Sequence, residues 1–316
     1  MRRVALIYNP ASGQHSARRR SAVENVLDVF REAGVAVEAL QTQKAGDATL
    51  HARQAAGDGF DAVIACGGDG TVHEIVQSLV GTDVALGVIP LGTANALAAN
   101  LGLTGGPAKV ARRLLHAAPR RISVGRITYL GLDGNPGSRY FVVAAGIGAD
   151  ALVMSRMDAA LKRRLGYLLY LIECFRTWVT FSYPLFEAAL PANGNGGGRV
   201  VNVSELLAVR VRSFGGVLGT LAPGASLTNG NLQLLVFKTR SRLHYLTFLL
   251  AVMAGRHTFN GAVELIETPS IECRSSNGFA EPLLVEADGE LLGALPAHLE
   301  IVPHSLNVLM PPEAQP

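Results

Sequence analysis

The sequence predicts an α/β N-terminal domain with a parallel sheet, followed by a C-terminal antiparallel β-sandwich domain with helical insertions. Two observations predict the first domain. Apolar strand segments alternate with helical segments up to about residue 115, and three of these strands run directly into turns that contain glycine. A third observation predicts the second domain, because short β-rich runs bounded by Gly, Asn and Pro begin after residue 123.

The predicted elements of the first domain are short apolar runs for strands and longer polar segments for helices. In chain order they are strand 4–8, helix 17–33, strand 35–40, helix 47–56, strand 61–66, helix 72–79, strand 84–89, helix 95–100 and helix 108–115. In the second domain we expect strands at 124–130, 140–144, 206–211, 232–237, 262–267, 271–274, 283–286 and 298–302, and helices at 159–181 and 243–254. The predicted boundaries are 1–123 and 124–302, with residues 303–316 open to packing back on the first domain.

Composition sets limits on the class of protein. A chain of 316 residues favours two domains. Because 49% of the residues are hydrophobic and only 17% are charged, the composition excludes a disordered chain. The net charge of +3 suits contact with an anionic lipid or nucleotide, but it is too small to indicate nucleic acid. Aromatic and basic residues do not interleave as they do in single-strand binders, so no nucleic-acid partner is expected.

The same composition predicts a cytoplasmic protein. Only five apolar residues follow Arg2 and Arg3 before Asn9, too few for a secretory signal, and no run is long enough to span a bilayer. The three cysteines lack the spacing of a metal site. If the protein acts on lipid, we expect it to be peripherally associated with the membrane.

The most informative motif is the turn after the strand at 61–66, which contains Gly67, Gly68, Asp69, Gly70 and Thr71. Glycines at such a junction allow the backbone to approach a ligand, and the N–H groups at the start of the next helix favour phosphate. An ordinary strand-to-helix turn is the alternative. The acid and the hydroxyl among the glycines favour a phosphate site, because they could hold a metal-bound phosphate.

A second turn follows the first strand, with Asn9, Pro10, Ser12 and Gly13. These residues are common in turns in general. Their N–H groups and the Ser12 hydroxyl could also surround a phosphate, with the arginines at 18–20 nearby. Those arginines are equally consistent with a solvated helix face.

A third turn, residues 90–95, follows the fourth strand, and its Thr93 and Asn95 are consistent with phosphate contact or with a helix N-cap. Ligands of parallel sheets bind beyond the carboxyl ends of the strands, where all three turns fall. Their coincidence predicts a nucleotide site.

Taken together, the motifs resemble the diacylglycerol kinase catalytic family, which includes bacterial soluble lipid kinases and sphingosine kinases. GGDGT alone is shared with NAD kinases and phosphofructokinases, so the flanking motifs carry the likeness to lipid kinases. The matching segments, in order, are 9–13, 67–71 with Glu74, 90–95, 146–150, 161–167 and 288–290.

The resemblance implies an NAD kinase/diacylglycerol kinase-like fold and an enzyme that uses ATP and Mg²⁺ to phosphorylate a membrane lipid. It implies that the first domain binds ATP and the second binds lipid. It also implies that Asp288 and Glu290 supply the catalytic carboxylates, although Asp288-Gly289 equally fits a hairpin turn. The residues implied to line the nucleotide site are Asn9, Pro10, Ser12, Gly13, Thr42, Gly67, Gly68, Asp69, Gly70, Thr71, Glu74, Thr93 and Asn95.

Two positions depart from the family pattern. Ala96 stands where the family usually has an acid, although sphingosine kinases also have alanine there. Thr228-Asn229-Gly230 stands where the family has the Asp-Asp-Gly that holds a structural magnesium. Losing carboxylates weakens binding of a hard cation, so a metal site at Asn229 is doubtful.

Residues 161–181 are predicted to form a helix in which Lys162, Arg163 and Arg164 adjoin a leucine-rich and aromatic stripe. A core helix with a basic cap is one interpretation. A helix that lies on an anionic membrane surface is the other, and we favour it because the expected substrate is a lipid. A homodimer is left open, as are two other functions: an NAD kinase-type enzyme with a soluble substrate, and a nucleotide-binding regulator without turnover.

Overall fold

The structure is a computed structural model that describes residues 1–10, 16–157, 167–192, 198–214, 221–254, 261–276 and 282–312. The chain divides into two compact units, one formed by Met1–Val124 with Pro303–Pro316 and the other by Gly125–Val302. Two long strands, β5 (Ala118–Leu130) and β15 (Glu290–Met310), contribute residues to both units.

The first unit is an α/β structure built on a parallel sheet. Its strands run in the order β2–β1–β3–β4, and Val308 of β15 pairs in parallel with Leu86 of β4. β3 is apolar and fully buried, and β4 is apolar and buried up to Ile89, as expected of a sheet covered on both faces. Its other elements are β1 (Arg3–Tyr8), α1 (Ser16–Glu32), β2 (Ala36–Gln41), α2 (Asp47–Gly57), β3 (Ala62–Gly67), α3 (Asp69–Leu79), β4 (Ala85–Pro90), α4 (Ala96–Asn100) and α5 (Pro107–Leu115).

The second unit is β-rich, with antiparallel strands in the order β12–β11–β10–β7–β14–β15. Strands β5, β6, β8, β9 and β13 lie off this path, and both groups contribute to one buried apolar cluster, as in a sandwich. The remaining elements are β6 (Pro136–Phe141), β7 (Ala144–Ile147), α6 (Ala149–Ser155), α7 (Tyr167–Thr180), β8 (Phe186–Leu190), β9 (Arg199–Val203), β10 (Glu205–Val209), β11 (Leu232–Phe237), α8 (Arg242–Met253), β12 (Val263–Thr268), β13 (Ser270–Arg274) and β14 (Leu284–Ala287).

The predicted fold class is confirmed, and the differences lie in the second unit. The sequence does not predict β8, β9 and α6, and it predicts one strand, 140–144, where the structure has β6 and β7. It also predicts only a short strand, 298–302, where β15 has 21 residues. Strand β15 reaches that length because it pairs with different partners along its course, including β14, β13 and β4. Such pairing depends on tertiary neighbours that the local pattern does not contain.

Candidate functional site

The three strands that lead into the turns predicted to bind nucleotide end at one edge of the parallel sheet in the first unit. Tyr8 at the end of β1 pairs with Cys66 of β3, and Gly67 pairs with Pro90 of β4. The turns after these strands are therefore neighbours, at the carboxyl edge where such sheets bind ligands. Asn9 and Pro10 directly follow β1, whereas Ser12 and Gly13 lie outside the described residues.

Asp69, at the start of α3, joins the turn after β3 to the turn after β4. Its Oδ2 accepts a hydrogen bond from the N–H of Asn95 at 2.8 Å, and its Oδ1 accepts one from the N–H of Ala96, also at 2.8 Å. Charge-assisted hydrogen bonds of this kind are stronger than neutral ones. The carboxylate thus fixes the entry to α4, a role that the sequence did not indicate.

The backbones of the same two turns approach closely at Gly68 and Gly92. A Cβ atom at Gly92 would lie 2.6 Å from the Cα of Gly68 and 2.7 Å from the Oδ1 of Asn95. The Asn95 side chain accepts from the N–H of Gly92 at 2.9 Å and donates to its carbonyl at 2.8 Å. Glycine at position 92 is therefore required by this approach, independently of any ligand.

The other nucleotide-site residues implied by the resemblance are placed as follows. Gly70 and Thr71 lie in the first turn of α3, where the Thr71 N–H donates to the carbonyl of Gly68, and Thr93 is exposed. The Thr42 side chain is buried, with its hydroxyl 3.4 Å from the carbonyl of Tyr8. Glu74 accepts a hydrogen bond from the N–H of Ala48 at the start of α2. Thr42 and Glu74 thus make contacts within the fold.

Arg19 brings a positive charge to this edge of the sheet. Its guanidinium donates to the carbonyl of Leu91 at 2.7 Å, and partial burial lowers its pKa. Of the arginines at 18–20, Arg20 is exposed, and the side chain of Arg18 lies outside the described residues. Arg19 is thus partly buried against the turn after β4 and does not lie on a solvated helix face.

In the second unit, Asp288 and Gly289 form the tight turn between β14 and β15. Both residues have positive φ, 50° and 84°, as a type I′ hairpin turn requires. The Asp288 carboxylate also accepts hydrogen bonds from the N–H groups of Val142, Val143 and Ala144, at 2.8 to 3.1 Å. These bonds hold the carboxylate in one orientation, whereas Glu290 is exposed.

Three carboxyl groups that the sequence interpretation did not assign are close to this turn. Glu286 is 2% exposed and accepts from the Gly289 N–H at 2.8 Å, and Glu205 accepts from the Asp150 N–H at 3.2 Å. Burial raises the pKa of Asp150, and burial together with the Asp150 charge raises the pKa of Glu286, to which Asp150 is hydrogen-bonded. A Cβ at Gly146 would lie 2.7 Å from the Oδ2 of Asp150, so a larger residue at this position would displace that carboxylate. We call Asp150, Glu205 and Glu286 the buried acid cluster.

This cluster predicts that stability falls as the pH rises. Burial and the neighbouring Asp150 charge raise the pKa of Glu205 from 4.5 to about 8. Between these values the folded state holds a proton that the unfolded chain has lost, so the free energy of unfolding decreases with increasing pH. Replacing Glu205 with glutamine should make this decrease smaller, as measured by urea unfolding at pH 5.5 and pH 8. Glu290→Gln, at an exposed carboxyl, is the control, and an equal decrease in the parent and in Glu205→Gln would contradict the assignment.

The loop with Asn229 does not fit a structural magnesium site. Among the described residues there is no group of three or more His, Cys, Asp or Glu side chains that could hold a metal ion. The carbonyl groups of Leu227, Asn229 and Asn231 instead accept hydrogen bonds from the guanidinium of Arg210.

The parallel sheet with glycine turns after its strands and the β-rich second unit together form a fold of the diacylglycerol kinase and NAD kinase type. Residues 3–127 match the diacylglycerol kinase catalytic domain, and residues 142–310 match the YegS C-terminal NAD kinase beta sandwich-like domain. The chain therefore belongs to the diacylglycerol kinase catalytic family, a family of lipid kinases.

Relatives resemble the chain over nearly its whole length. It is 29% identical to a diacylglycerol kinase of Bacillus subtilis (strain 168), over 99% of this chain and 98% of the relative. It is 31% identical to a diacylglycerol kinase of Mycobacterium tuberculosis (strain ATCC 25618 / H37Rv), over 98% and 95%. The crystal structure of a diacylglycerol kinase from Bacillus anthracis str. Sterne has a TM-score of 0.69 at 18% identity, with 99% and 98% covered, which supports the fold.

Proposed function

We propose that the protein is an ATP-dependent lipid kinase that phosphorylates a hydroxyl group of a membrane lipid. The oxygen of the lipid hydroxyl forms a bond to the γ-phosphorus of ATP, and the bond from that phosphorus to the oxygen of the ADP leaving group breaks. The hydroxyl proton passes to a carboxylate. The products are the lipid phosphate and ADP, and Mg²⁺ enters as part of the nucleotide substrate.

The observation that carries this proposal is the group of three turns at the carboxyl edge of the parallel sheet. The hydrogen bonds of Asp69 and the close backbone contact between Gly68 and Gly92 hold the turns after β3 and β4 in a fixed arrangement. The guanidinium of Arg19 lies beside the turn after β4. An edge with backbone N–H groups, a helix start and a cation favours the phosphates of a nucleotide. In a chain of a lipid kinase family, ATP is the nucleotide we expect there.

For the acceptor side we propose Asp288 as the general base, with Glu290 as the residue that orients it or contacts metal. A carboxylate held by three N–H groups keeps one orientation, which a base needs in order to accept a proton from a bound hydroxyl. Because both relatives named above are diacylglycerol kinases, diacylglycerol is the first substrate to test. Sphingoid and phosphatidylglycerol-like lipids are the other candidate substrates.

The test is transfer of labelled phosphate from ATP to a panel of these lipids in mixed micelles, with NAD as a soluble acceptor alongside. A labelled lipid product supports the proposal. Labelled NADP without labelled lipid would replace it with an NAD kinase-type function. ATP binding without transfer to any acceptor would indicate a nucleotide-binding regulator.

The surface that we propose for contact with the membrane lies on α7 and α8 of the second unit. The indole N–H of Trp178 on α7 donates to the carbonyl of Arg242 on α8 at 2.9 Å, so the two helices are neighbours. None of the helices in the described parts of the chain is long and apolar enough to cross a bilayer. Large apolar side chains on both helices are nevertheless exposed, and we call this set the apolar helix face: Leu168, Leu171, Ile172, Phe175 and Val179 on α7, and Leu243, Leu249 and Leu250 on α8.

The charges around the apolar helix face favour an anionic bilayer as its partner. Arg176 and Arg242 are exposed on these helices, whereas Glu173, the one acid in either, is buried and forms an ion pair with Arg176 at 3.7 Å. Apolar residues flanked by arginines are typical of interfacial helices. A second copy of the chain would instead bring two cationic faces together. Residues 162–164, on which the sequence prediction of membrane contact rested, lie outside the described residues.

Changing two residues of the apolar helix face should weaken membrane binding. Phe175 is 66% exposed and Leu250 is 54% exposed, so their replacement by serine costs little folding stability. Burying a large apolar side chain contributes about 1.5–3 kcal/mol, so the double variant should bind anionic vesicles about 10²- to 10⁴-fold more weakly. Sedimentation with vesicles of phosphatidylglycerol and phosphatidylcholine measures this.

Leu132→Ser is the matched control, because Leu132 is 64% exposed in the same unit but lies outside the two helices. Its binding should equal that of the parent. Equal binding by the parent and by Phe175→Ser/Leu250→Ser would show that α7 and α8 do not contact the membrane.

A further inference from the structure

The feature that carries a further inference is Arg210, which directly follows β10 in the second unit. Its side chain is 1% exposed and is the largest of the fully buried side chains described. Long charged side chains are rarely buried to this extent without compensating contacts. Nothing in the sequence around it, Val209 and Val211, distinguishes it from an ordinary exposed arginine.

The guanidinium of Arg210 lies among main-chain carbonyl groups. Its Nη1 donates to the carbonyl of Asn231 at 2.7 Å, and its Nη2 donates to the carbonyls of Leu227 and Asn229 at 3.2 and 3.0 Å. These acceptors belong to one loop, residues 227–231, which leads into β11. Three carbonyl groups of one loop therefore face a single cation.

The charge of Arg210 is compensated by these carbonyl dipoles. Burial lowers the pKa of Arg210 to about 10. At neutral pH the guanidinium is still protonated. A buried cation requires closely placed acceptors, since leaving it without them costs several kcal/mol. The loop and the arginine thus depend on each other.

Converging carbonyl oxygens are also what a hard metal ion takes from a protein. The loop contains Thr228-Asn229-Gly230, the segment at which the family resemblance implies a structural magnesium held by Asp-Asp-Gly. In this chain the uncharged Thr228 and Asn229 stand where the family has the two aspartates. Two cations would repel each other at such a site, and one set of carbonyl oxygens cannot fully serve both.

We propose that the guanidinium of Arg210 replaces the structural magnesium as the cation that holds the 227–231 loop. The second unit of this protein is then stable without a bound metal. The loop connects β10 to β11, and Leu221, Ala222 and Ala225 from the same connection lie in a buried cluster with Val209 and Leu235. Within the loop, Leu227 is buried whereas Thr228 and Gly230 are exposed, so the arginine holds the inner side of a surface loop next to this cluster.

The first test measures thermal unfolding of the full chain without nucleotide, in a chelator and in millimolar Mg²⁺. We expect the same melting temperature in both, because no metal takes part. A melting temperature that rises with Mg²⁺ would overturn the proposal, since it would show an intact metal site. This readout requires no variant and no kinase activity, so it is independent of the function proposed above.

The second test removes the guanidinium of Arg210 and then offers Mg²⁺ in its place. Arg210→Met keeps the length of the side chain but leaves the three carbonyls without their donor, so the melting temperature should fall by about 5–10 °C. The same substitution at Arg212, which is exposed and donates to the carbonyl of Ala225, is the matched control and should change it much less. An Arg210→Met protein as stable as the parent would overturn the proposal.

The double variant Arg210→Met/Asn229→Asp should recover stability in a Mg²⁺-dependent way, while Asn229→Asp alone should not respond to Mg²⁺. If the melting temperature of the double variant does not change with Mg²⁺, the guanidinium of Arg210 does not occupy a position at which this loop can bind a metal. If Arg210→Met does not fold, Arg210→Lys, which retains the charge, should still fold, with a melting temperature below that of the parent. A lysine variant that does not fold either would count against the role of the charge.

Discussion

Replacing Asp288 with asparagine is expected to lower the rate of phosphoryl transfer to lipid by about 10²–10⁴-fold, the usual contribution of a general base. Asparagine keeps the size of the side chain and tolerates the positive φ of 50° at this turn, but its amide cannot accept the hydroxyl proton. The measurement is the turnover rate at saturating ATP and lipid. ATP binding should be unchanged.

The structure also predicts a loss of stability in this variant. The carboxylate accepts from three N–H groups through both of its oxygens, whereas asparagine has one acceptor oxygen and an NH₂ donor. At least one N–H group then loses its acceptor, and the melting temperature should fall by about 3–8 °C. Turnover must therefore be compared at a temperature at which both proteins are fully folded.

Glu290→Gln separates the two candidate carboxylates, because Glu290 is exposed and its change should leave the melting temperature unaltered. If turnover is normal in Asp288→Asn but is lost in Glu290→Gln, the general base is Glu290. If neither change lowers turnover, Asp288 serves only the hairpin turn.

Replacing Gly92 with alanine is expected to weaken ATP binding by about 100-fold. The added Cβ would lie 2.6 Å from the Cα of Gly68, and neither backbone can move without disturbing the turns after β3 and β4. A displaced turn loses hydrogen bonds to phosphate, each worth about 1.5–3 kcal/mol when the partner is charged. Titration calorimetry with a non-hydrolysable ATP analogue measures the change.

The same substitution at two other glycines tests this explanation. A Cβ at Gly68 would lie 3.2 Å from the Cα of Gly92, a milder contact, so Gly68→Ala should weaken binding less than Gly92→Ala. Gly57→Ala, at the end of α2 with open space around it, should leave ATP binding unchanged. Unchanged ATP affinity in a folded Gly92→Ala protein would exclude these turns from the nucleotide site.

Much of the first unit could be predicted from the sequence because its signals are local. The apolar runs of β1, β3 and β4, the polar helices between them and the glycines after the strands each occupy fewer than twenty consecutive residues. Turn chemistry at Gly67–Gly70 and at Asp288-Gly289 is likewise set by neighbours in sequence. The parallel order of the strands then places the three turns at one edge, so the position of the candidate nucleotide site also followed from the sequence.

The roles of individual side chains were decided by tertiary contacts. The carboxylate of Asp69 binds N–H groups 26 and 27 residues away, and that of Asp288 binds N–H groups 144 to 146 residues away. No local pattern specifies partners at such separations. The sequence therefore indicated that these residues matter without indicating what they contact.

By itself, the sequence determined the fold class, the family and the edge of the sheet that carries the glycine turns. Only the tertiary structure decided which charged groups are buried. Glu205, Glu286 and Arg210 belong to residue types that are usually exposed, and their neighbours in sequence do not mark them. Burial depends on which strands come together, and the free energy of a charge depends on the groups placed around it in three dimensions.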